Sequence, residues 1–494
     1  MNIQVDPPEP APLAAPPATA PRLSPTEIKA IIIGLIVAML LAALDQTIVA
    51  TAMPTMGREL GDLNNLPWIV TAYLLTSTAV TPLYGKLSDI HGRRIMLLVG
   101  IGIFSLGSVA CALAPTMLAL ALARGLQGLG GGGLLALSQT IIGDLVTPKE
   151  RAQYQVYIAS VFVISSLAGP VLGGFFAEHL HWSLIFWINL PLGLLAFVMT
   201  SDKLKRLPRH ERPHKLDYPG AALLIAATST LLLALSWGGV HYPWNSPAIA
   251  LHLAASALLW ALFVLRLRKA DEPLIPLTLL SNQVVLTATL AACFGMGTFI
   301  GLTIYMPIYL EGVLGLSASQ SGLALIPLMV GTVAGATLSG RMMVSVRHYK
   351  RVPVIGLTVS LAATVLLAFA ARGLPQFWLE ALLAVLSIGI GSLLPVTTVC
   401  VQNAVAFHEL GTATASMNFF RSLGGAIIVA VFGTLVLGGG TIPLGGNLSH
   451  LSPAAIEGLS LAFRLVFAAS AIGLALALVF IAAMQELPLR DSHR

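Results

Sequence analysis

The chain has 494 residues, of which 56% are hydrophobic and only 10% are charged. Soluble domains carry about 25% charged residues, so this composition excludes an ordinary soluble domain and indicates a polytopic membrane protein. The formal charge of +6 does not indicate a nucleic-acid partner, because the basic residues collect in short connectors between apolar runs.

Residues 1–28 are predicted to form a disordered tail, since the beginning of the chain is rich in Pro and Ala and presents no periodic apolar face. The apolar run that follows is too long for the core of a signal peptide and contains Asp45, so we expect it to stay in the mature protein. All three cysteines lie in apolar runs and are interpreted as small buried hydrophobes, with no disulfide framework.

Fourteen apolar runs have the length needed to cross roughly 30 Å of hydrocarbon as a helix. They cover residues 30–54, 67–84, 95–114, 117–144, 155–178, 182–200, 218–237, 247–265, 284–311, 321–344, 352–371, 377–403, 410–438 and 456–484. The predicted fold is therefore an all-α polytopic membrane protein with fourteen transmembrane helices. An even number of helices places both termini on the same side of the membrane.

The distribution of basic residues indicates which side of the membrane holds the termini. The connector between the second and third runs holds Lys86, Arg93 and Arg94, and later connectors of the same parity are also basic. The opposite connectors hold only Arg58 and Arg372. Because Lys and Arg accumulate in cytoplasmic connectors, both termini are predicted to be cytoplasmic, with the chain in the inner (plasma) membrane.

A weak internal sequence similarity indicates that the chain consists of two related halves. The segments GKLSDIHGRR at 85–94 and GRMMVSVRHYKR at 340–351 each follow the second helix of a block of six. Two related six-helix halves around a central cavity are a familiar transporter plan. The predicted organisation is a tail at 1–28, an N-terminal bundle at 29–200, a basic cytoplasmic linker at 201–217, two inserted central helices at 218–265, a second cytoplasmic linker at 266–283, a C-terminal bundle at 284–484 and a cytoplasmic tail at 485–494.

Charged side chains lie deep inside some of the predicted helices. Asp45 is in the first helix and Arg124 is in the fourth, and each would cost about 2.5 to 3.5 kcal/mol if it were charged and unpaired at the membrane centre. We therefore expect Arg124 and Gln127 to share a cavity with Asp45, whose carboxyl would load a proton from outside and release it inside. The alternative is an Asp45 that is protonated or hydrogen-bonded and only joins two helices.

Four segments resemble motifs of the major facilitator superfamily, specifically of its fourteen-span drug/proton antiporters of the EmrB/QacA type. They are LDQTIVATAMP at 44–54, GKLSDIHGRR at 85–94, RGLQGLGGGG at 124–133 and SSLAGPVLGG at 165–174. Ile90 stands where a basic residue is usual, and Ser165 stands where Gly is usual. The resemblance extends from Ala30 to about Met484.

This resemblance implies the major facilitator fold, with two six-helix bundles and two extra helices, and a proton-coupled exporter of varied lipophilic compounds that works by alternating access. It implies that proton coupling depends on Asp45, Arg124 and Gln127. The segment after the second helix is interpreted as a conformational latch between the halves, with a merely solvated basic loop as the alternative. The latch residues are Gly85, Asp89, Gly92, Arg93 and Arg94.

The fifth-helix segment resembles the antiporter motif and is interpreted as a hinge. Its small residues are expected to let the helix bend and approach a neighbour across the two halves, although tight packing without a gating role fits equally well. The hinge residues are Gly169, Pro170, Gly173 and Gly174.

Several polar and aromatic side chains in the helices are candidates for a substrate cavity, although aromatic residues in spans are more often packing residues or interfacial anchors. The candidates are Tyr73, Tyr305, Tyr309, Asn418, Phe419 and Arg421. Arg421 either lines the cavity or is a hydrogen-bonded structural residue.

No nucleotide loop, metal cluster or nucleophile beside a base is recognisable in the sequence, so no metal or cofactor is expected and a membrane-embedded enzyme is the weaker class. A dedicated transporter of one metabolite, with the same fold, is the closer alternative. The expected partners are small-molecule substrates, protons and the lipid bilayer, without nucleic acid. An adaptor protein and an outer-membrane channel are left open as further partners.

Overall fold

The computed structural model describes residues 24–62, 65–206, 216–239, 241–346, 348–437 and 452–489. These residues form helices and no β-strand. The helices are α1 (Pro25–Glu59), α2 (Trp68–His91), α3 (Arg93–Ala112), α4 (Met117–Leu145), α5 (Pro148–His179), α6 (Leu184–Trp187), α7 (Asn189–Ser201), α8 (Tyr218–Trp237), α9 (Pro247–Lys269), α10 (Leu277–Ser281), α11 (Gln283–Gly312), α12 (Ala318–Ala324), α13 (Ile326–Ser345), α14 (Arg351–Ala370), α15 (Gln376–Ala404), α16 (Leu410–Leu437) and α17 (Pro453–Ala483), with short 3₁₀ helices at Lys203–Arg206, Ala371–Gly373 and Phe407–Glu409.

Thirteen helical segments of the described residues are long and apolar enough to cross a membrane. Two of these segments each contain a pair of helices, α6 with α7 and α12 with α13. Helix α2 is the fourteenth: it has 24 residues and packs against α4, α8 and α16 inside the fold. The prediction of an all-α protein with fourteen transmembrane helices is confirmed.

The local sequence explains where the helices begin. Ser24 and Glu27 form a capping box, in which each side chain accepts a hydrogen bond from the other residue's backbone N–H. Helix α1 therefore starts earlier than expected, and residues 25–28 belong to it and not to the tail. Thr147 and Glu150 form the same cap for α5, which takes in residues that were expected to lie in the connector.

Two of the expected helices are interrupted. The sixth breaks at Ile188 and the tenth at Leu325. Pro191 and Pro327 lie in the first turn after these breaks, where a proline removes a backbone donor and is tolerated because that donor has no partner within the helix. The first break places Asn189, which is fully buried, at the start of α7.

Helices α1–α7 form one bundle around two hydrophobic clusters, and α11–α17 form the other around a single larger one. The bundles meet where α2 packs on α16 and α5 packs on α13. The inserted helices α8 and α9 pack on each other, and α8 also contacts α2 and α16. The inserted pair therefore covers one junction between the bundles. Exposed leucines around the bundles, such as Leu106 and Leu122, suit a surface that faces lipid.

The segments outside the bundles are described only in part. Residues 1–23 of the predicted N-terminal tail, 207–215 of the basic linker and 490–494 of the C-terminal tail lie outside the described residues. In the second linker, α9 runs on to Lys269 and α10 forms a short helix. The described part of the C-terminal tail packs on the connector before α14, where the hydroxyl of Tyr349 donates to the carbonyl of Leu487 at 2.7 Å.

Candidate functional site

Asp45 of α1 is fully buried against Arg124 of α4. Arg124 Nη1 lies 2.5 Å from Asp45 Oδ2 and 2.6 Å from Gln127 Oε1. The Nε of Arg124 donates to the backbone carbonyl of Ile69 at 2.9 Å, and Gln127 Nε2 donates to Asp45 Oδ1 at 2.8 Å. The structure thus brings these three predicted residues into one hydrogen-bonded cluster, which is what a buried ion pair needs to offset its desolvation.

Asn189 and Ser108 also belong to this cluster and were not predicted. Asn189 Nδ2 donates to Asp45 Oδ1 at 2.9 Å and lies 3.2 Å from Ser108 Oγ. Ser108 Oγ also accepts a hydrogen bond from Gln127 Nε2 at 2.7 Å. Asp45 Oδ1 therefore accepts two amide N–H groups, while its Oδ2 faces the guanidinium. An amide inside the apolar run WINLP was the sequence signal that could have identified Asn189.

Tyr73 of α2 separates this cluster from the space between the bundles. The guanidinium carbon of Arg124 lies 4.4 Å from the centroid of the Tyr73 ring, which is a cation–π geometry. Gly131 of α4 makes room for the ring, since a Cβ at this position would overlap the Tyr73 hydroxyl. The glycines of α4 thus allow α2 to pack closely enough to place an aromatic ring on the ion pair.

A cavity of about 440 Å³ lies between the bundles. Four of the six predicted cavity residues line it, namely Tyr73, Tyr305, Asn418 and Arg421. Most of the remaining wall comes from apolar and small residues of α2, α4, α8, α11 and α16. The cavity therefore offers an apolar surface with a few polar groups, as sites for small molecules usually do.

The expectation that Asp45, Arg124 and Gln127 share the cavity needs a correction. These three side chains are almost completely buried and are absent from the cavity wall. Their neighbours Gln46 and Tyr73 line it instead. The ion pair therefore contacts the cavity indirectly, through the ring of Tyr73.

Tyr309 and Phe419 do not line the cavity in this conformation. Tyr309 is buried one helical turn beyond Tyr305, where α11 packs on α17, and its ring centroid lies 5.0 Å from that of Phe463. Phe419 is buried against Trp260 of α9, with 6.2 Å between the ring centroids. It follows Asn418 directly and so points about 100° away around the helix.

The predicted latch lies where the two bundles meet. Asp89 Oδ2 accepts a hydrogen bond from the backbone N–H of Thr412 at 2.9 Å and another from the Thr412 hydroxyl at 2.6 Å. Asp89 Oδ1 accepts from Arg93, whose Nε lies 2.9 Å from Asp144 Oδ2 of α4. One carboxylate therefore links α2 to α3 and, across the junction, to α16. Thr412 and Asp144 were not predicted.

The other latch residues have different surroundings. A Cβ at Gly85 would overlap the backbone of Gly411 in α16, so this glycine permits the close approach of the two bundles. Gly92 forms the turn between α2 and α3 with φ of +93°, a conformation that favours glycine. Arg94 Nε donates to the carbonyl of Ser201 at 2.5 Å and so contacts α7 of its own bundle.

The fifth-helix glycines have a neighbour other than the one expected. A Cβ at Gly169 would overlap Thr47, and one at Gly173 would overlap the backbone of α1. Both glycines therefore face α1 of the same bundle and not the opposite half. Pro170 lies inside α5, and a Cβ at Gly174 would meet open space. Helix α5 also contacts α13 of the other bundle.

A second polar contact joins the bundles beside the cavity. Asn418 Nδ2 of α16 donates to Gln139 Oε1 of α4 at 2.8 Å. Gln402 Nε2 of α15 donates to the backbone carbonyl of Gln139 at 3.2 Å. Arg421 donates to Asn418 Oδ1. These bonds join the bundles between the cavity and Asp89, while the cavity extends the other way, towards the connector between α8 and α9.

Two bundles of six membrane helices and an inserted helix pair, with a cavity between the bundles and polar contacts joining them at one end, define a membrane transporter. The family profile described as Major Facilitator Superfamily matches residues 35–429, and the chain belongs to this family. Its relatives are transporters, so the chain is not an enzyme.

The chain is similar to two curated relatives and to one solved structure. It is 35% identical over 395 residues to the multidrug transporter protein MdtP of Bacillus subtilis (strain 168), which covers 80% of this chain and 72% of that protein. It is also 35% identical over 399 residues to multidrug resistance protein 3 of the same organism, with 80% and 76% covered. The crystal structure of the human organic anion transporter MFSD10 has a TM-score of 0.64 at 18% identity, with 94% of this chain and 100% of that chain covered. At this low identity, the similarity to MFSD10 shows a shared fold and nothing about function.

Proposed function

We propose that this transporter is a proton-coupled multidrug efflux pump, which exchanges protons for varied lipophilic compounds by alternating access. The observation that carries the proposal is the fully buried pair of Asp45 and Arg124 behind Tyr73, a residue of the cavity wall. A carboxylate at membrane depth is stabilised by its cationic partner, and a proton on the carboxylate removes that stabilisation. The occupancy of the carboxyl by a proton is therefore linked to the position of Arg124.

The proton step follows from the contacts of the pair. An ionised Asp45 is held by Arg124, Gln127 and Asn189. Protonation removes the negative charge that Arg124 faces, and breaking a buried pair costs about 3 to 5 kcal/mol. At about 1.4 kcal/mol per factor of ten, this free energy shifts a two-state equilibrium at least a hundredfold. Because Tyr73 packs on the guanidinium, movement of Arg124 changes the cavity wall.

The cavity wall supports a broad choice of lipophilic substrates. Leu232 and Leu235 of α8, Ile300 and Ile304 of α11, and Trp244 give it apolar and aromatic surface. A volume of about 440 Å³ is in the range that accommodates drug-sized compounds. The two relatives of Bacillus subtilis that carry multidrug names support the same conclusion.

We propose further that the latch lies on the cytoplasmic side of the inner membrane, together with both termini. Lys86, Arg93 and Arg94 flank Asp89 there, and Lys and Arg accumulate in cytoplasmic connectors. The conformation described then has its inner side held closed and its cavity directed outwards. An adaptor and an outer-membrane channel stay predictions.

The test is transport by the purified full chain in vesicles with an imposed proton gradient. Asp45→Asn keeps the shape of the side chain and replaces the carboxylate by a neutral amide. We expect this variant to slow gradient-driven dye transport at least about a hundredfold, in line with the loss of a buried ion pair. Asp202→Asn is the matched control, because Asp202 is an exposed acid that pairs with Lys205 on the surface.

Equal gradient-driven rates for Asp45→Asn and the unmodified protein would show that Asp45 does not couple protons to transport. The same vesicles decide how broad the specificity is. Export of several unrelated dyes and biocides is expected of a multidrug pump, whereas export of one compound out of a broad panel would favour the dedicated metabolite transporter.

A further inference from the structure

Arg421 is the one side chain of the described cavity wall that carries a formal charge. It lies near the middle of the 28-residue helix α16, at a depth where an ion needs a partner or water. Among the described residues no Asp or Glu forms an ion pair with it, and its one hydrogen bond goes to Asn418 Oδ1. A guanidinium has five N–H donors, so four of those of Arg421 have no hydrogen-bond partner among the described residues, in a side chain that lines the cavity.

Arg124, a second intramembrane cation, is in the opposite situation. Arg124 is paired with Asp45, and its Nε and Nη1 have partners in Ile69 and Gln127 as well. The pair of Asp45 and Arg124 has no net charge and lies behind Tyr73. Of the described residues that line the cavity, Arg421 is thus the one that gives the wall a net charge, and this charge is positive.

We infer that Arg421 forms a subsite for an anionic group, and that the transporter accepts amphipathic compounds that join an aromatic or aliphatic body to a carboxylate, sulfonate or phosphonate. A planar guanidinium binds such groups through two parallel N–H donors. The apolar wall of Leu232, Ile300 and Ile304 would hold the body of the compound, and the hydroxyls of Tyr305 and Ser422 line the same cavity. This inference rests on the proposed efflux function and adds the class of substrate.

The position of the subsite also gives a bound anion access to the contact between the bundles. Arg421 donates to the same Asn418 side chain that donates to Gln139 across the junction. An anion that binds Arg421 competes with Asn418 Oδ1 for the guanidinium. Asn418 then keeps its bond to the carbonyl of Thr414 at 2.9 Å but loses the one from Arg421, so its amide is held less firmly and the bridge to Gln139 is weakened.

The test uses three probes that share one ring system: naphthalene-2-carboxylate, its methyl ester and the cation 2-(aminomethyl)naphthalene. Binding of each to the purified full chain is measured by calorimetry at neutral pH. We expect the carboxylate to bind at least about tenfold more tightly than the ester, as the gain of a charge-assisted hydrogen bond implies, and the cation to bind more weakly than the ester.

Arg421→Gln should bring the affinity for the carboxylate down to that for the ester and leave the ester unchanged. Arg421→Lys should keep part of the preference, because it keeps the charge but loses the planar fork. Arg268→Gln, at an exposed position near the end of α9, is the matched control and should bind all three probes as the unmodified protein does. The thermal midpoint of each variant shows whether it is folded.

Equal affinities of the unmodified protein for carboxylate and ester would overturn the anionic subsite, and this comparison needs no variant. A carboxylate preference that survives in a folded Arg421→Gln variant would overturn the assignment to Arg421. Gradient-driven export of the ester without a carboxylate preference would leave the efflux function standing and remove the subsite. A carboxylate preference without gradient-driven export of any probe would support the subsite and contradict the efflux function.

Discussion

The hydrogen bond from Thr412 to Asp89 makes one hydroxyl group part of the contact that joins the two bundles at the predicted latch. Thr412→Val removes this hydroxyl and keeps nearly the same shape. Asp89 retains the backbone N–H of Thr412 and the guanidinium of Arg93. The substitution therefore weakens the closed latch without leaving the carboxylate unpaired.

The size of the effect follows from the charge and burial of Asp89. A hydrogen bond to a charged group contributes about 1.5 to 3 kcal/mol. The Asp89 side chain is only 7% exposed, so little water replaces the lost donor while the latch is closed. At about 1.4 kcal/mol per factor of ten, the closed state should lose roughly a factor of 10 to 100 relative to states in which the latch is open.

Pulsed electron spin resonance measures this shift directly. Spin labels at His91, the last residue of α2, and at Ser281, the last residue of α10 shortly before α11, occupy exposed positions on the latch side. Cys111 and Cys400 are buried, and the partly buried Cys293 is replaced by Ala to avoid background labelling. We expect Thr412→Val to increase the fraction of molecules with a long distance between the labels, and Thr412→Ser, which keeps the hydroxyl, to leave it unchanged.

Thr358→Val controls for the loss of a hydroxyl in a membrane helix. Thr358 is exposed on α14, and its hydroxyl donates to the carbonyl of Val354 within the same helix. If Thr412→Val and Thr358→Val gave the same distance distribution as the unmodified protein, the contact of Asp89 with Thr412 would not hold the bundles together.

Two further predictions follow from the packing and from the basic connectors. Gly131→Ala places a methyl group against the Tyr73 hydroxyl and should destabilise the fold by about 1 to 3 kcal/mol, seen as a lower thermal midpoint. Gly174→Ala, which adds its methyl group in open space, should leave the thermal midpoint unchanged. Adding Tyr73→Phe to Gly131→Ala removes the hydroxyl and should restore part of the lost stability. Failure of Tyr73→Phe to restore any stability would show that the clash lies elsewhere. A reporter fused after Arg94 should be cytoplasmic and one fused after Gly61 should be external, and the reverse result would invert the proposed orientation.

The pairing of Asp45 with Arg124 was predictable because membrane helices carry few charges. A charged residue at that depth needs a partner, and the sequence offers few candidates. The number of helices was predictable for a similar reason, since each apolar run had to be long enough to cross the bilayer. The early start of α1 was missed, although Ser24 and Glu27 have the spacing of a capping box.

The side of each helix that faces the cavity, and the neighbour that each helix packs on, could not be predicted. An apolar helix sequence carries little information about either. The sequence could not distinguish Asn418, which faces the cavity, from Phe419, which packs on α9. Small residues such as Gly169 indicate a close approach but not the identity of the neighbour, which is α1. Thr412 is uncharged and lies 323 residues from Asp89, so no charge pattern connects the two.

The most direct test of proton coupling at Asp45 is the release of protons when substrate is added to the purified protein in weakly buffered detergent solution. If substrate and proton exchange as proposed, the unmodified protein should release about one proton for each substrate bound, because a protonated Asp45 gives up its proton as it pairs again with Arg124 behind the cavity wall. Asp45→Asn should bind substrate and release none. Equal proton release from both proteins would contradict the coupling role of Asp45.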